Sequence, residues 1–183
     1  NSYNESFFLK NNKQIKISTA RSGNVLGGGD YSKNRIIPDI LNSIYNKKDL
    51  IIRNPNHIRP WQHVIEPIYG YLKLAEYLFL NKVSDKGHSW NFGPKYNSFI
   101  SVYELLAKIK KIKKIKKILF KKNKFVETKT LKLDSKKAKR YLKWEQRWSV
   151  DKTIEKILEW NDNLKSKKNM RQICEKQIKE YLK

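Results

Sequence analysis

The alternation of polar and apolar residues changes period repeatedly along the 183-residue chain. Gln14 to Ala20 alternates with a period of two and is flanked by Asn and Gly, which predicts a strand. Gly23 to Asp30 follows as a loop. Its consecutive glycines suit either a ligand-facing turn or a merely flexible one. Ile36, Ile37, Ile40, Leu41 and Ile44 recur at helical spacing, predicting a helix over 36–45. Pro38 sits in its first turn, where a missing N–H costs nothing. Leu50 to Arg53 predicts a short strand with its turn at Asn54-Pro55-Asn56. Ile65 to Leu80 predicts a helix with Glu66 and Pro67 in its first turn and Ile68, Leu72, Ala75 and Phe79 on one face. Ser89 to Phe92 predicts another strand, stopped by Gly93-Pro94.

Ser101 with Glu104 three residues on forms a capping box and opens a helix running to about Leu119. Ile109, Ile112, Ile115 and Ile118 recur every third residue with lysines between them. This pattern fits a core-facing helix with a solvated lysine face better than an interfacial helix, since no Trp or Phe lies within the repeat. Ile118 to Phe125 is open to a strand assignment as well. Leu131 to Ser135 predicts a strand ending in a helix N-cap, and Lys136 to Leu142 a helix. Trp144 to Trp148 reads as a connector, and Thr153–Trp160 and Met170–Leu182 as helices. Interleaved helices and short strands argue for an α/β fold.

Composition adds a net charge of +24, with 34 Lys against 7 Arg and 20 Ile and 17 Asn beside them. Lys, Ile and Asn enriched together point to an A/T-rich genome rather than a selected binding face. Removing all ten lysines between Lys108 and Lys124 still leaves +14. Salt-sensitive adhesion to polyanions follows from such a charge, but specific nucleic-acid binding does not. Apolar runs are too short to span a bilayer, and no secretory signal pattern opens the chain. A cytoplasmic setting is the simple reading. The single Cys174 excludes an internal disulfide and a cysteine-based zinc site. The scattered histidines suggest no metal. Asn1 is not a Met, and Ser2 to Phe8 reads as the end of an amphipathic helix, so the chain reads as a piece of something longer.

Candidate chemistry concentrates in two stretches. Residues 21–30 end a strand in glycines and the amide of Asn24. Residues 51–66 carry Arg53 and Arg59 six residues apart. Arginine grips phosphate bidentately and glycine lets backbone come close, so the pair suits a phosphorylated, hydroxyl-rich ligand. No Gly-Lys-Ser/Thr follows the glycines, and no Gly-x-Gly-x-x-Gly is present. His63 reads as a packed histidine, His57 and His88 as loop residues, and Trp61 as core.

The residues Ala20-Arg-Ser-Gly-Asn-Val-Leu-Gly-Gly-Gly-Asp30, Arg35-Ile-Ile-Pro-Asp39, Ile52-Arg-Asn-Pro-Asn-His-Ile-Arg-Pro-Trp-Gln-His63 and Trp90-Asn-Phe-Gly-Pro94 resemble the C-terminal half of the CDP-glucose 4,6-dehydratases. The resemblance continues through Leu131-Lys-Leu-Asp134 to Arg171. These enzymes are extended short-chain dehydrogenase/reductases. The resemblance implies the C-terminal part of a Rossmann-type fold: the last Rossmann strands and helices plus a small α/β substrate-binding domain. Residues 1–30 and 60–95 would belong to the NAD-binding part, and 31–59 and 96–183 to the nucleotide-sugar-binding part.

It further implies NAD as cofactor and CDP-glucose as substrate, converted to a 4-keto-6-deoxy product for deoxysugar and surface polysaccharide synthesis. Asn24, Arg35, Ile37, Pro38, Arg53 and Arg59 would meet the substrate, and Ala20, Ser22 and Gly23 the cofactor. For Arg53 a surface ion pair remains the alternative. The family's Gly-rich dinucleotide loop and its Tyr-x-x-x-Lys pair have no counterpart here, since Tyr69 to Lys73 fits only the bare spacing mid-helix. No catalytic residue is therefore expected in this chain, and the chain alone is expected to be inactive. The full-length enzyme is expected to be a homo-oligomer without membrane or specific nucleic-acid partners. A sibling epimerase or dehydratase using another nucleotide is the nearest alternative, and a basic nucleic-acid-binding module a more distant one.

Overall fold

The computed structural model describes residues 6, 16–80, 89–121 and 128–183. The segment before residue 16, with the expected helix end at Ser2–Phe8, and His88 lie outside them, apart from Ser6. Strand β1 (Thr19–Ser22) pairs in parallel with β5 (Ser89–Phe92), Ala20 opposite Trp90 and Ser22 opposite Phe92. The chain then crosses at Gly23 into β2 (Asn24–Leu26), which lies parallel to β4 (Ile58–His63) with Asn24 opposite Trp61. A Cβ on Gly23 would stand 2.7 Å from the Pro60 carbonyl oxygen, so only glycine permits this approach of β2 to β4. Strand β6 (Phe99–Ser101) completes that sheet antiparallel to β4. Strands β3 (Leu50–Ile52) and β7 (Ile118–Phe120) form a separate parallel pair.

The helices are α1 (Ile36–Asn46), α2 (Ile65–Leu80), α3 (Val102–Lys110), α4 (Lys136–Leu142), α5 (Val150–Lys165) and α6 (Met170–Leu182). Two apolar cores result. One joins Leu26, Ile40, Leu50 and Trp61 to Leu105 of α3 and Ile154 and Ile157 of α5. The other joins Leu74 of α2 to Trp90 and Phe92 of β5 and to Ala138, Leu142 and Trp144. Gly70 lets α2 settle on the Phe92 ring, where a Cβ would come within 2.3 Å of Phe92 Cδ1.

Several expectations change. The stretch read as a loop at Gly23 to Asp30 contains β2, and Ile58–His63 is a strand that apolar alternation does not announce. The helix expected to reach Leu119 ends at Lys110, so Ile112 is 55% exposed while Ile109 and Ile115 are buried. Its capping box is present, with Ser101 Oγ accepting from the Glu104 N–H at 3.1 Å and Glu104 Oε2 accepting from the Ser101 N–H at 2.7 Å. Leu131 to Ser135 is irregular rather than a strand. Ser135 does not cap α4 with its side chain. Its hydroxyl instead accepts from the Gly93 N–H at 2.6 Å and donates to the Gly93 carbonyl at 3.0 Å, tying the end of β5 to the start of α4. On α2, the face carrying Ile68, Leu72 and Phe79 is exposed, and the packed side carries Pro67, Gly70 and Leu74. No helix among the described residues is long and apolar enough to cross a membrane.

Candidate functional site

A cleft of about 510 Å³ opens where the chain leaves β1, between β2, the start of α1, the end of β3 and β4. Its position outside the carboxyl end of a parallel strand is where α/β sheets place ligands. Asn24, Arg35, Ile37, Pro38, Arg53 and Arg59 all line it, as does Gly23. Sequence reasoning did not single out Asp30, Asn34, Asp39, Trp61 and Val102 as lining residues, although the first four stand inside or beside the motifs quoted above. Ala20 and Ser22 lie apart from the cleft on β1.

Helix α1 points its first turn at this cleft. Arg35 is its N-cap in extended conformation, and no side chain caps the helix. The early amides, with Pro38 contributing none, therefore present the positive end of the helix to the opening. Arg35 forms an exposed ion pair with Asp30 at 3.5 Å. Asp30 is held below the usual carboxylate range by the Ser32 backbone N–H first and by Arg35 in addition. Arg53 Nη2 donates to Asn34 Oδ1. Burial pushes the Asp39 carboxyl up, opposed by the Arg53 charge and by the Asn34 backbone N–H. Arg59 Nη1 donates to the carbonyls of Thr128 at 2.8 Å, Ile58 at 3.0 Å and Lys129 at 3.3 Å, and Nη2 lies 3.1 Å from His57 Nδ1. Arg59 thus holds the 128–131 stretch alongside β4, where Ile58 and Thr130 form a parallel bridge. Trp61 is core, 2% exposed, with its indole N–H on the Ile100 carbonyl at 2.9 Å.

A second polar group lies apart from the cleft and is structural. Glu66, fully buried at the start of α2, accepts from the Trp148 N–H at 2.8 Å, the Arg147 N–H at 3.1 Å and the Tyr181 hydroxyl at 2.7 Å. Its backbone carbonyl takes the Trp144 indole N–H at 3.0 Å. One residue therefore fixes α2, the Trp144–Trp148 connector and α6. His63 packs edge-on to Trp148 at 5.0 Å, and its Nδ1 accepts from the Ile65 N–H at 3.3 Å. Burial, reinforced by the Lys156 charge, holds its pKa down at about 4. It is a neutral packed histidine and not a base. Tyr69 and Lys73 do not form a catalytic pair either. The Lys73 ammonium lies 5.3 Å over the Tyr69 ring, which also packs edge-on to Tyr181. Among the described residues no group of His, Cys, Asp and Glu could hold a metal, and Cys174 is exposed.

Solved structures share this architecture. A UDP-glucose 4-epimerase from Stenotrophomonas maltophila, bound to NAD and a formylated UDP-arabinopyranose, superposes with a TM-score of 0.71 at 14% identity, over 84% of this chain and 49% of that one. The dTDP-glucose 4,6-dehydratase of Bacillus anthracis, bound to NAD, gives 0.69 at 18% identity over 88% and 48%. The fold is that of an extended short-chain dehydrogenase/reductase. No family model matches the chain. In sequence this short-chain dehydrogenase fragment is 35% identical over 185 residues to the CDP-glucose 4,6-dehydratase of Salmonella typhimurium, an alignment covering 98% of the chain and 51% of that enzyme. The chain spans about half the length of the curated relative it matches.

Proposed function

We propose that the chain is the substrate-binding portion of an NAD-dependent CDP-glucose 4,6-dehydratase. One observation carries this reading: Asn24, Arg35, Arg53 and Arg59 converge with an uncapped helix N-terminus on a single cleft. The N-terminal amides and guanidinium forks match a diphosphate, and Asn24 offers an amide to a sugar hydroxyl. Residues 1–30 and 60–95 belong on this reading to the NAD-binding part, and 31–59 and 96–183 to the sugar-nucleotide part.

Ala20, Ser22 and Gly23 suit a dinucleotide, because they are small, partly exposed and sit at the carboxyl end of a parallel strand. NAD, when bound there, accepts hydride from sugar C4 and returns it to C6. The residues of this chain bind and orient. Arg59 and Arg53 hold the diphosphate, α1 covers it, and Asn24 fixes the sugar. Water leaves from C5 and C6 to give the 4-keto-6-deoxy sugar nucleotide, a precursor for surface polysaccharide. The proton transfers fall to residues outside this chain, so the chain alone binds without turnover. The whole enzyme is expected to be a cytoplasmic homo-oligomer.

The test is CDP-glucose turnover by the whole enzyme, compared with dTDP-, UDP- and GDP-sugars. Arg59→Lys is expected to lower kcat/KM nearly as much as Arg59→Ala, by on the order of 30-fold or more, because an ammonium lacks the planar fork. Wild-type kcat/KM in Arg59→Lys would remove Arg59 from the phosphate site. Preference for another nucleotide would favour a sibling sugar-nucleotide enzyme.

A further inference from the structure

The cleft holds one carboxylate that a diphosphate would not choose. Asp39 lines it one turn into α1, half-buried, beside the positive end of the helix and in reach of the Arg53 charge. A purely phosphate-binding cleft gains nothing from an acid there, since its charge repels the ligand. Asp39 and Arg53 do not neutralise one another in an ion pair. Each instead leans on Asn34, which stands in the left-handed region at φ 63°, a conformation asparagine tolerates. The Asn34 side-chain carbonyl takes one Arg53 N–H, and its backbone N–H faces the Asp39 carboxylate. The remaining Arg53 N–H groups have no hydrogen-bond partner among the described residues. A single turn residue therefore sets an acceptor and a multiple donor side by side on one wall, with an exposed apolar edge at Ile51 and the Val102 side chain nearby.

That pairing has a chemical complement. Cytosine presents an amine donor at N4 next to acceptors at N3 and O2. Uracil and thymine present an acceptor at position 4 next to an N3–H donor. A carboxylate accepts from cytosine N4, as acids do when they read that base, and a guanidinium donates to acceptors. Opposite uracil, Asp39 would meet lone pairs and Arg53 an N–H, leaving both groups unsatisfied in a partly desolvated wall.

We propose that Asp39 and Arg53, held by Asn34, form the base-reading site of this cleft and select cytosine over the other pyrimidines. The proposal rests on the nucleotide-sugar reading of the cleft. Asp39 accepts from the N4 amine, Arg53 donates to the N3 and O2 edge, and Arg35 and Arg59 are left to the phosphates. Specificity for the nucleotide thus sits on residues different from those that supply most of the affinity.

The test is isothermal titration of the 183-residue chain with CDP and with UDP at one salt concentration. The chain is expected to prefer CDP by about 10- to 100-fold, the discrimination one well-placed polar pair supplies. Asp39→Asn should remove most of that preference by weakening CDP, with circular dichroism confirming the fold. Arg53→Gln, at an exposed position, should also narrow the ratio and serves if Asp39→Asn does not fold. Arg59→Ala should weaken CDP and UDP by the same factor. Equal binding of CDP and UDP, or a preference unchanged in both Asp39→Asn and Arg53→Gln, overturns the base-reading site and leaves the nucleotide cleft standing. Binding of neither nucleotide removes the cleft reading, and this proposal with it.

Discussion

Acidifying the protein should destabilise it through His63. The imidazole is 4% exposed, lies edge-on to Trp148 and faces the Lys156 charge, and its Nδ1 is occupied as an acceptor by the Ile65 N–H. Protonation would place a second cation in that space and convert the acceptor into a donor aimed at an N–H. Burial first, and Lys156 second, lower the pKa from 6.5 to about 4. At 1.36 kcal/mol per pH unit, the difference is worth about 3 kcal/mol. The unfolded chain takes up the proton near 6.5 and the folded one only near 4, so the unfolded state binds more protons throughout that window. Stability is therefore fully present above pH 6.5 and falls as pH drops toward 4. Glu66 acts in the opposite sense, since burial raises its pKa and protonation favours the folded state. Comparing wild type with His63→Gln, which keeps an acceptor for the Ile65 N–H, subtracts that contribution. The assay is the urea midpoint at intervals between pH 7.5 and 4, with the imidazole proton shifts followed by NMR. Wild type should lose about 3 kcal/mol more than the variant across the window. Equal pH slopes, or an imidazole midpoint near its ordinary value, would refute the reasoning.

Two further outcomes concern the packing behind the cleft. Tyr181→Phe removes a hydroxyl that donates to the buried Glu66 carboxylate at 2.7 Å; it should cost about 1.5–3 kcal/mol in thermal or urea unfolding, the usual worth of a bond to a charged group. Changing Lys110, Lys111, Lys114, Lys116 and Lys117 to Gln should move stability by about 0.5 kcal/mol or less each and flatten the salt slope of nonspecific DNA binding, because these lysines are exposed. Lys108 and Lys113 are left intact in that variant, since they pair with Asp151 and Asp162 at 2.8 Å. By contrast Ile109→Gln and Ile115→Gln should each cost roughly 1.5–3 kcal/mol, and Ile112→Gln almost nothing. Lysine changes that unfold the protein would show that α3 and the following turns were assigned to the wrong faces.

Regular periodicity was legible wherever local chemistry and packing agree. α2 and β5 fall where apolar spacing and turn residues place them, as do α4 and α6, and the Ser101–Glu104 capping box forms as its spacing requires. The failures share a cause. Strand β2 is three residues long and sits among glycines, so its identity comes from pairing with β4 rather than from its own side chains. β4 carries Arg59, Pro60, Gln62 and His63, polar or imino residues that the fold nevertheless buries or half-buries. The isoleucine repeat continues past Lys110, but a repeat of three does not keep pace with a helix of 3.6 residues per turn. The chain turns there, and Ile118 enters β7 instead. Tertiary partners also made Glu66 invisible, because its donors lie about 80 and 115 positions away. The cleft was readable as motifs. Asp39 belonged to a quoted motif, yet only the fold reveals that it shares a wall with Arg53.

The glycine run shows why motif and role need not coincide. Three consecutive glycines invite a phosphate cradle, yet they do different work. Gly27 lines the cleft. Gly28 lies against the Trp160 ring, where a Cβ would come within 2.2 Å of Cδ2, so its lack of a side chain serves packing against α5. Gly29 takes φ 77°, the left-handed turn that redirects the chain toward Asp30 and α1. Trp160 therefore supports the loop from behind, and α5 is itself positioned by Lys156, whose ammonium reaches Glu180 at 2.6 Å and Glu159 at 2.8 Å. Burial alone would lower the Lys156 pKa, but the hydrogen bonds and charges of these two acids outweigh it and raise it. The arginines of the cleft act on a ligand only if the α1 terminus is held within a fraction of an ångström of its place. That placement comes from a buried ion pair and a tryptophan on the far side of the loop, so the recognition surface is set from behind by residues that no ligand touches.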